Sequence, residues 1–272
     1  MSLRICIGGA TGWTGKALVA GVAAAADLSL SGAVARKAAG QDAGTIAGGE
    51  ALKVAISPSV DEALKAQPTD VYIDYTHPSA VKANVLKALE LGVPAVIGTS
   101  GLAAADYDEI AKFADRQGLG VVASGNFSIT ASLLTRFSLL AAQHVPDYEI
   151  IDYAKSTKPD VPSGTARELA ERMGAIQQSV PGYPIKDIIG PLEARGADVG
   201  GGRVHAVRLP GYVLAVETIF GKDGERLTIR HDAGTSAGPY VAGTLLAARR
   251  VVALKGLVRG LDNLLFGTLP PK

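Results

Sequence analysis

The residues best suited to chemistry are Ser163, Gly164 and Thr165, which stand at the predicted start of a helix shortly after Lys158. Residues 166–173 are good helix formers, and a helix start offers unpaired N–H groups and a positive dipole end. Two hydroxyl groups and a nearby lysine add further donors, so the segment predicts a site for a small carboxylate. The alternative is an ordinary capping box, with Thr165 as the N-cap and Glu168 three residues later.

A second chemical signal is the glycine-rich segment Gly9, Gly12 and Gly15, spaced as GxxGxxG. An apolar strand at residues 3–7 precedes it, and a helix at residues 16–26 and a strand at residues 28–35 are predicted after it. Glycines in the first turn of such a unit let backbone N–H groups approach a pyrophosphate. The context therefore predicts a dinucleotide site. A glycine-rich turn without a ligand is the alternative.

Arg36 and Lys37 follow the second strand, at the point where NAD-preferring folds carry a carboxylate for the ribose 2′-hydroxyl. An arginine at this point accommodates the 2′-phosphate of NADP(H) instead. The two cations predict a preference for NADPH, with NADH still possible. Two solvated loop charges are the alternative.

The elements that must position these residues alternate between strand and helix. Strands are predicted at residues 52–56, 70–76, 94–97 and 120–123, and helices at residues 60–66, 80–91, 104–116 and 129–144. This alternation indicates an α/β fold with a Rossmann-type, doubly wound parallel sheet, in which ligands lie beyond the carboxyl ends of the strands. Thr76, Gly98, Thr99, Asn126 and Phe127 follow such strands, where they could hold a nicotinamide carboxamide. Turns without a ligand are the alternative for each loop.

The pattern changes after residue 144. Strands at residues 149–153, 203–208, 213–220 and 225–231 mostly alternate in polarity, and one clear helix follows Pro162. The pattern indicates a smaller α+β domain with a mixed or antiparallel sheet packed on a helix. A last helix is predicted at residues 240–253, and residues 182–202 form a long irregular excursion. We therefore predict one domain of residues 1–127 and 240–272 and a second of residues 128–239.

Composition fits a protein with a sizeable core, because 47% of the 272 residues are hydrophobic and 19% are charged. The net charge of +1, with basic and acidic residues interleaved, argues against a nucleic-acid surface or an anionic-membrane patch. The sequence has no run of about 18 apolar residues, so no membrane span is expected. Cys6 is the only cysteine, which fits a reducing compartment. No residue cluster has metal-ligand spacing, so no metal is expected.

Five segments, in this order, resemble the dihydrodipicolinate reductase family, also named 4-hydroxy-tetrahydrodipicolinate reductases. They are residues 9–15, 70–76, 98–101, 126–128 and 158–166, of which the last, Lys-Pro-Asp-Val-Pro-Ser-Gly-Thr-Ala, is the most specific. The resemblance implies a dinucleotide-binding Rossmann domain and a substrate-binding, oligomerising α+β domain, in a cytoplasmic homotetramer of lysine and diaminopimelate biosynthesis. It also implies an oxidoreductase that transfers a hydride from NAD(P)H to the C=N system of a cyclic imine dicarboxylate.

The resemblance assigns roles to the residues that match the family's motifs. Lys158 resembles the substrate-binding and proton-donating lysine, and Ser163, Gly164 and Thr165 resemble the carboxylate-binding helix start. Cofactor contacts are expected from Gly9, Thr11, Gly12, Trp13, Thr14, Arg36, Lys37, Thr76, Gly98, Thr99, Asn126 and Phe127.

One segment departs from the family, which usually reads Glu-x-His-His before the lysine and uses the first histidine as its proposed general acid. The same positions here are Asp152, Tyr153, Ala154 and Lys155. Protonation of the product needs a donor within hydrogen-bond reach. Lys158, Lys155, Tyr153 or a bound water are the remaining candidates, and the alternative is that Lys155 and Tyr153 are ordinary loop residues.

This departure leaves three functions open. The preferred one is the reductase of the lysine pathway. The second is an NADPH-dependent imine reductase or amine dehydrogenase-like enzyme that acts on a different substrate. The third is a non-catalytic NADP(H)-binding sensor, which would bind the cofactor without oxidising it.

Overall fold

The computed structural model describes residues 2–269, which form two compact units. The first unit runs to Ile129 and resumes over Ala237–Phe266, and the second comprises Thr130–Ser236 and residues 267–269. The predicted first domain extends through residue 272, but residues 267–269 belong to the second unit. There Arg136 donates a 2.7 Å hydrogen bond to the Gly267 carbonyl, and Leu269 packs against the core. Residues 270–272 lie outside the described residues.

The first unit is built on a seven-stranded parallel sheet. Its strands are β1 (Leu3–Gly8), β2 (Leu28–Val34), β3 (Ile56–Ser57), β4 (Val71–Asp74), β5 (Ala95–Ile97), β6 (Gly120–Ala123) and β12 (Gly256–Arg259). They lie in the order β12-β6-β5-β4-β1-β2-β3, and every pair is parallel. Its helices are α1 (Trp13–Ala24), α2 (Ala43–Ala47), α3 (Val60–Ala66), α4 (Pro78–Glu90), α5 (Ala104–Gln117), α8 (Gly238–Val251) and α9 (Leu261–Phe266). The predicted doubly wound α/β fold is confirmed.

Apolar side chains fill both faces of this sheet. Ile5 and Ile7 of β1 pack in one core together with residues of α1 and α8. Cys6, which lies between them in the strand, packs in a second core with residues of α3, α4 and α5. Strands that are covered on both faces need near-continuous apolar sequence, and this is the pattern from which they were predicted.

The strand predicted at residues 52–56 is mostly wrong, because only Ile56–Ser57 pairs with the sheet. The reason is Asp42, whose carboxylate caps α2 by accepting from the Thr45 N–H at 3.0 Å. The same carboxylate accepts from the N–H groups of Leu52 and Val54. These hydrogen bonds hold residues 52–54 around Asp42 and away from the sheet. Helix α2, which Asp42 caps, was not predicted.

The chain does not end with the helix predicted at residues 240–253. That helix is α8, and both β12 and α9 follow it. β12 pairs in parallel with β6 and completes the edge of the sheet. Neither element was predicted, because each is only a few residues long.

The second unit contains a five-stranded mixed sheet and two helices. Its elements are α6 (Ile129–Ala142), which begins at the last residue of the first unit's initial segment, β7 (Tyr148–Ala154), α7 (Gly164–Ile176), β8 (Ala197–Val199), β9 (Gly202–Arg208), β10 (Leu214–Lys222) and β11 (Glu225–Ala233). The strands lie in the order β11-β10-β7-β9-β8. β7 and β9 are parallel and the other pairs are antiparallel, which confirms the predicted mixed sheet.

One face of the mixed sheet packs against α6 and α7. Tyr148 and Ile150 of β7 are buried in the core that residues of both helices form. Glu149, Ile151 and Tyr153 alternate to the opposite face and are only partly buried. The sheet therefore has one face covered by helices of its own unit.

The excursion predicted at residues 182–202 contains two short 3-10 turns and β8. Three of its apolar side chains, Tyr183, Ile189 and Leu192, are exposed. Within residues 2–269, no helix has both the length and the apolar character needed to cross a membrane.

Candidate cofactor cleft and carboxylate site

The glycine-rich loop between β1 and α1 is shaped by two close backbone approaches. Gly9 has φ +77°, and a Cβ there would lie 2.1 Å from the Tyr75 carbonyl oxygen. A Cβ at Gly15 would lie 2.0 Å from the Gly9 carbonyl oxygen. Both positions therefore require glycine. The tight loop lets α1 begin at Trp13 rather than at the predicted residue 16, and the N–H groups of its first turn can bind a phosphate.

A cavity of about 690 Å³ lies beside this loop. Among the predicted cofactor contacts, it is lined by Gly9, Thr11, Arg36, Lys37 and Thr76. Arg36 and Lys37 stand on a 3-10 turn that directly follows β2. The volume suits a nucleoside-sized group, and the two cations make one side of the cavity positive. Other polar lining residues were not predicted: Ser59, His77 and Asn84.

A second cavity, of about 340 Å³, adjoins the start of α1. Among the predicted cofactor contacts, it is lined by Gly12, Trp13, Thr14, Thr76, Gly98 and Thr99. Thr76 is common to both cavities. Trp13 is 59% exposed, and its ring meets that of Tyr240 edge-on with centroids 5.9 Å apart. The two cavities together are the candidate site for the cofactor and are called the cofactor cleft.

Neither cavity is lined by Asn126 or Phe127, the two other residues predicted to contact the cofactor. The Phe127 side chain is 1% exposed and packs in the core, with its ring 6.3 Å from that of Tyr75. Asn126 uses its side-chain oxygen to accept a 2.8 Å hydrogen bond from the Ser128 N–H. The Phe127 carbonyl oxygen also packs closely against Gly243, only 1.9 Å from where a Cβ there would lie, so Phe127 contributes to the core rather than to the lining of either cavity.

Two side chains at the carboxyl end of β4, the fully buried Asp74 and the partly buried Tyr75 that follows it, were not predicted as site residues. The Tyr75 hydroxyl lies 2.8 Å from Thr244 Oγ1, and the Tyr75 ring occupies the space that a side chain at Gly98 would need. Burial raises the pKa of Tyr75, so its hydroxyl keeps the proton. Asp74 is fully buried and accepts from the Thr99 hydroxyl at 2.7 Å. The sequence could have indicated Asp74, because it is a carboxylate at the end of an otherwise apolar strand.

The predicted carboxylate site lies at the start of α7. Ser163 is the N-cap of this helix, and its Oγ accepts from the Ala166 N–H at 3.3 Å. The capping box with Thr165 as N-cap is therefore wrong, because Thr165 already lies in the first turn. Gly164 is exposed, and a Cβ there would meet no atom within 4 Å. The N–H groups of Gly164 and Thr165 have no acceptor within the helix, and they are the candidate donors for a carboxylate.

Asp152 is fully buried in β7 and holds Ser163 in place. Its carboxylate accepts from the Ser163 N–H, from Ser163 Oγ and from Arg208 Nη2, each at 2.7 Å. Arg208 Nη2 also donates to the Asp160 carbonyl at 2.7 Å. Because both donors of Ser163 bind Asp152, this serine positions the helix start and does not offer a donor to a ligand. The sequence could have revealed Asp152, because it is a carboxylate at an inward position of an alternating strand. No local sequence pattern indicates a role for Arg208.

Lys158 lies on the loop that Arg208 holds at Asp160. Its Nζ is 2.8 Å from Asp160 Oδ1, and this hydrogen bond lowers the pKa of Asp160. The Lys158 N–H donates to the Lys155 carbonyl at 3.0 Å, which turns the loop. The Lys155 side chain is exposed. Of the two lysines, Lys158 is the one held near the start of α7 by the loop's own contacts.

Tyr153 lies on the face of the mixed sheet opposite Asp152. Its hydroxyl donates to Glu217 at 3.4 Å, and its ring lies between Tyr212, at 5.1 Å, and the Arg230 guanidinium, at 4.7 Å. Partial burial and the Glu217 charge raise the pKa of Tyr153, so the phenol stays protonated. Strand alternation therefore keeps Tyr153 apart from the start of α7.

The chemistry of both sites is that of hydrogen bonds, helix starts and cations. Across residues 2–269, no three or more His, Cys, Asp or Glu side chains are grouped to hold a metal ion. The glycine loop and the start of α1 in the first unit are suited to phosphate groups, and the start of α7 in the second is suited to a small carboxylate, with Lys158 on the preceding loop.

Two family models match consecutive parts of the chain. The model for "Dihydrodipicolinate reductase, N-terminus" matches residues 3–127, and that for "Dihydrodipicolinate reductase, C-terminus" matches residues 130–265. Together they cover nearly the whole chain and divide it close to the boundary of the two units.

Curated relatives and solved structures give the same match. A 4-hydroxy-tetrahydrodipicolinate reductase from Syntrophomonas wolfei is 37% identical over 96% of this chain and 98% of the relative. One from Thermosynechococcus vestitus is 38% identical over 97% of each chain. The dipicolinate-bound dihydrodipicolinate reductase from Paenisporosarcina sp. TG-14 has a TM-score of 0.85 and 30% identity, over 97% of this chain and 99% of that one. An amine dehydrogenase from Mycobacterium smegmatis, at 17% identity and a TM-score of 0.67 over 96% of each chain, shares the fold.

Proposed function

The chain belongs to the dihydrodipicolinate reductase family, and we propose that it reduces 4-hydroxy-tetrahydrodipicolinate with NAD(P)H in lysine and diaminopimelate biosynthesis. The first unit would bind the cofactor and the second the substrate, a cyclic imine with two carboxylates. The observation that carries the proposal is the start of α7, where the N–H groups of Gly164 and Thr165 border open space on the segment that bears Lys158.

In this function the chain's own residues bind, orient and supply a proton. Bound NAD(P)H would supply the hydride for the conjugated C=N system. One substrate carboxylate would accept from the N–H groups of Gly164 and Thr165, at the positive end of the α7 dipole. Lys158 would donate the proton, because Ala154 has none to give and Tyr153 lies on the other face of the sheet. The ammonium group has three donors, of which Asp160 takes one.

Arg36 and Lys37 support a preference for NADPH over NADH. Both line the larger cavity directly after β2, where the 2′-phosphate would lie. Replacing both with glutamine should lower kcat/KM for NADPH while leaving that for NADH nearly unchanged. A double variant that loses activity equally with both cofactors would contradict this assignment.

We place the protein in the cytoplasm as a homotetramer. A reaction that consumes NAD(P)H fits that compartment, and the sole cysteine, Cys6, is a buried thiol. The tetramer would form through the sheet face that carries Ile151 and Tyr153, together with the exposed Ile189 of the excursion. Light scattering should give about four times the 27.8 kDa of one chain, and a mass of one chain would contradict the assembly.

The deciding experiment is a direct assay with freshly generated 4-hydroxy-tetrahydrodipicolinate and NADPH, followed by the loss of absorbance of the reduced cofactor. Turnover near the common enzyme value of about 10 s⁻¹ is expected. Lys158→Met should remove turnover and leave NADPH binding intact, as monitored by Trp13 fluorescence. Lys155→Met, on the same loop but with an exposed side chain, is the matched control and should retain activity. Full activity of Lys158→Met would reject the assigned role.

A second candidate function follows from Ala154 and Lys155, which stand where the family usually has two histidines. This difference favours an NADPH-dependent reductase or amine dehydrogenase-like enzyme that acts on another imine. Such an enzyme would bind NADPH, fail with the lysine-pathway substrate and oxidise NADPH with a different cyclic or acyclic imine. Binding of NADPH without oxidation by any imine would instead identify a non-catalytic sensor.

A further inference from the structure

The buried carboxylate of Asp74 lies at the wall of the cofactor cleft and is surrounded by donors. Its Oδ1 accepts from the Thr76 N–H at 3.0 Å and from Thr76 Oγ1 and Thr99 Oγ1 at 2.7 Å each. Its Oδ2 accepts from the Tyr72 hydroxyl at 2.7 Å and from Asn84 Nδ2 at 3.1 Å. Thr76 and Thr99 both line the cleft, so the carboxylate joins the cleft wall to a buried polar cluster.

Packing holds this cluster in one arrangement. Asp74 and Tyr72 are both fully buried, so water does not compete for the carboxylate. The Tyr72 hydroxyl occupies the space beside Gly8, where a Cβ would lie only 2.1 Å from it. Hydrogen bonds in such a shielded environment are stronger than in water and polarise one another.

The direction of each proton in the cluster follows from its chemistry. The Thr76 N–H and the Asn84 amide nitrogen can only donate. Burial and the charge of Asp74 raise the pKa of Tyr72 well above its usual value, so the phenol keeps its proton and also donates. Each threonine hydroxyl has one proton and two lone pairs. Since Thr76 and Thr99 point their protons at Asp74, only lone pairs remain for the cleft: both on Thr99, and one on Thr76, whose other accepts from Asn84 Nδ2 at 3.4 Å.

We propose that Asp74 is a positioning residue that makes Thr76 and Thr99 act purely as hydrogen-bond acceptors toward the cofactor, and thereby selects a pyridine ring bearing an N–H donor. The inference rests on the proposed function, because it requires a nicotinamide cofactor in the cleft. A carboxamide supplies two N–H donors, whereas an acetyl group or a carboxylate at the same ring position supplies none. A carboxylate would in addition face two acceptors and a like charge behind them.

The test compares the binding of NADP⁺ with that of three analogues altered only at the ring substituent. The thionicotinamide form keeps the NH₂ group, and the 3-acetylpyridine and nicotinic acid forms lack it. Dissociation constants come from quenching of Trp13, the only tryptophan, with calorimetry as a check. The thionicotinamide form should bind about as well as NADP⁺. The acetylpyridine form should bind about tenfold more weakly, which corresponds to about 1.4 kcal/mol, and the nicotinic acid form more weakly still.

Four variants separate the role of Asp74 from a merely structural one. Thr99→Val removes the acceptor at nearly constant volume and should reduce the preference for NADP⁺ over the acetylpyridine form toward unity, whereas Thr99→Ser should keep it. Asp74→Leu frees the hydroxyl protons and should also reduce the preference. Asp74→Asn keeps an acceptor oxygen for both threonines and should retain most of it. If Asp74→Leu does not fold, the two Thr99 variants still decide the question.

Equal affinity of the unaltered protein for NADP⁺ and the acetylpyridine form would overturn the inference, and so would a preference that is undiminished in Thr99→Val. Failure of every dinucleotide to bind would overturn both the inference and the proposed function. Selective binding of the carboxamide form without reductase turnover would support the inference and reject the proposed function alone.

Discussion

Replacing Asp152 with alanine should strongly destabilise the second unit, because the change removes the acceptor of two buried donors and of one on the largely buried Arg208. The lost hydrogen bonds come from the Ser163 N–H, Ser163 Oγ and Arg208 Nη2, each at 2.7 Å. The Asp152 side chain is 0% exposed and that of Arg208 only 14%. Removing one member of a buried ion pair costs about 3–5 kcal/mol, since the other charge is left unpaired. We expect that loss in the free energy of unfolding.

The Asp152→Asn variant should be milder. The amide oxygen can replace Oδ2, which accepts from the Ser163 N–H and from Arg208, and the amide NH₂ then faces the Ser163 hydroxyl. Hydrogen bonds to a charged group contribute about 1.5–3 kcal/mol and neutral ones about 0.5–1.5 kcal/mol. The expected cost is therefore about 1–2 kcal/mol. Asp152→Asn should also displace Ser163, which caps α7. This displacement should weaken binding of pyridine-2,6-dicarboxylate at the start of α7 and leave NADP⁺ binding unchanged.

Urea unfolding followed by circular dichroism measures these changes, and a double-mutant cycle with Arg208→Met isolates the pair. The double variant should be less destabilised than the sum of the single variants, because neither charge is then left alone. Asp61→Ala, which removes an exposed ion pair to Lys65, is the control and should barely move the midpoint. A cost of Asp152→Ala below about 1 kcal/mol, the range of exposed pairs, would refute this reasoning, as would strictly additive effects.

Three further outcomes are expected. Gly15→Ala should weaken NADP⁺ binding by about tenfold or more, because its Cβ must displace the Gly9 carbonyl from 2.0 Å; unchanged affinity in a fluorescence titration would contradict this. Burial lowers the pKa of His231 from 6.5, against the opposing charge of Asp232. The unfolded chain then binds this proton first, so stability should fall as the pH drops below about 6.5, and His231→Gln should flatten that slope in pH-dependent unfolding. Burial also raises the pKa of the Cys6 thiol to about 12, so mass spectrometry should find alkylation of Cys6 by iodoacetamide only after urea is added.

The first unit could be predicted closely from sequence where local signals and burial agree. The bounds of α3 and β6 match the prediction, because short apolar runs between turn residues leave few alternatives. The segment at residues 52–56 fails for the opposite reason. Its β-forming residues are drawn away from the sheet by the Asp42 carboxylate, a side-chain contact that no periodicity reveals.

The carboxylate site could be predicted only in part. The composition of residues 163–173 indicates a helix start, but it does not decide between Ser163 and Thr165 as the cap. That choice is made by Asp152, which binds both donors of Ser163. Arg208 reaches the same carboxylate because β7 and β9 pair in parallel and place it opposite Ala154. A partner fixed by strand pairing leaves no local signal in the sequence.

The late position of α8 and β12 in the sequence affects how the first unit folds while the chain is being synthesised. Helix α8, which supplies Leu245 and Ala248 to the core around Leu18 and Val19, is translated only after all of β7–β11. At about 5–20 residues per second, the intervening stretch of roughly a hundred residues takes about 5–20 s to synthesise. During that interval the part of the sheet face that α8 will cover, over β4, β5 and β6, is exposed, and the edge beside β6 is unpaired. The first unit, although its translation begins first, is therefore completed only after all the strands of the second unit, and it needs protection from aggregation during that interval.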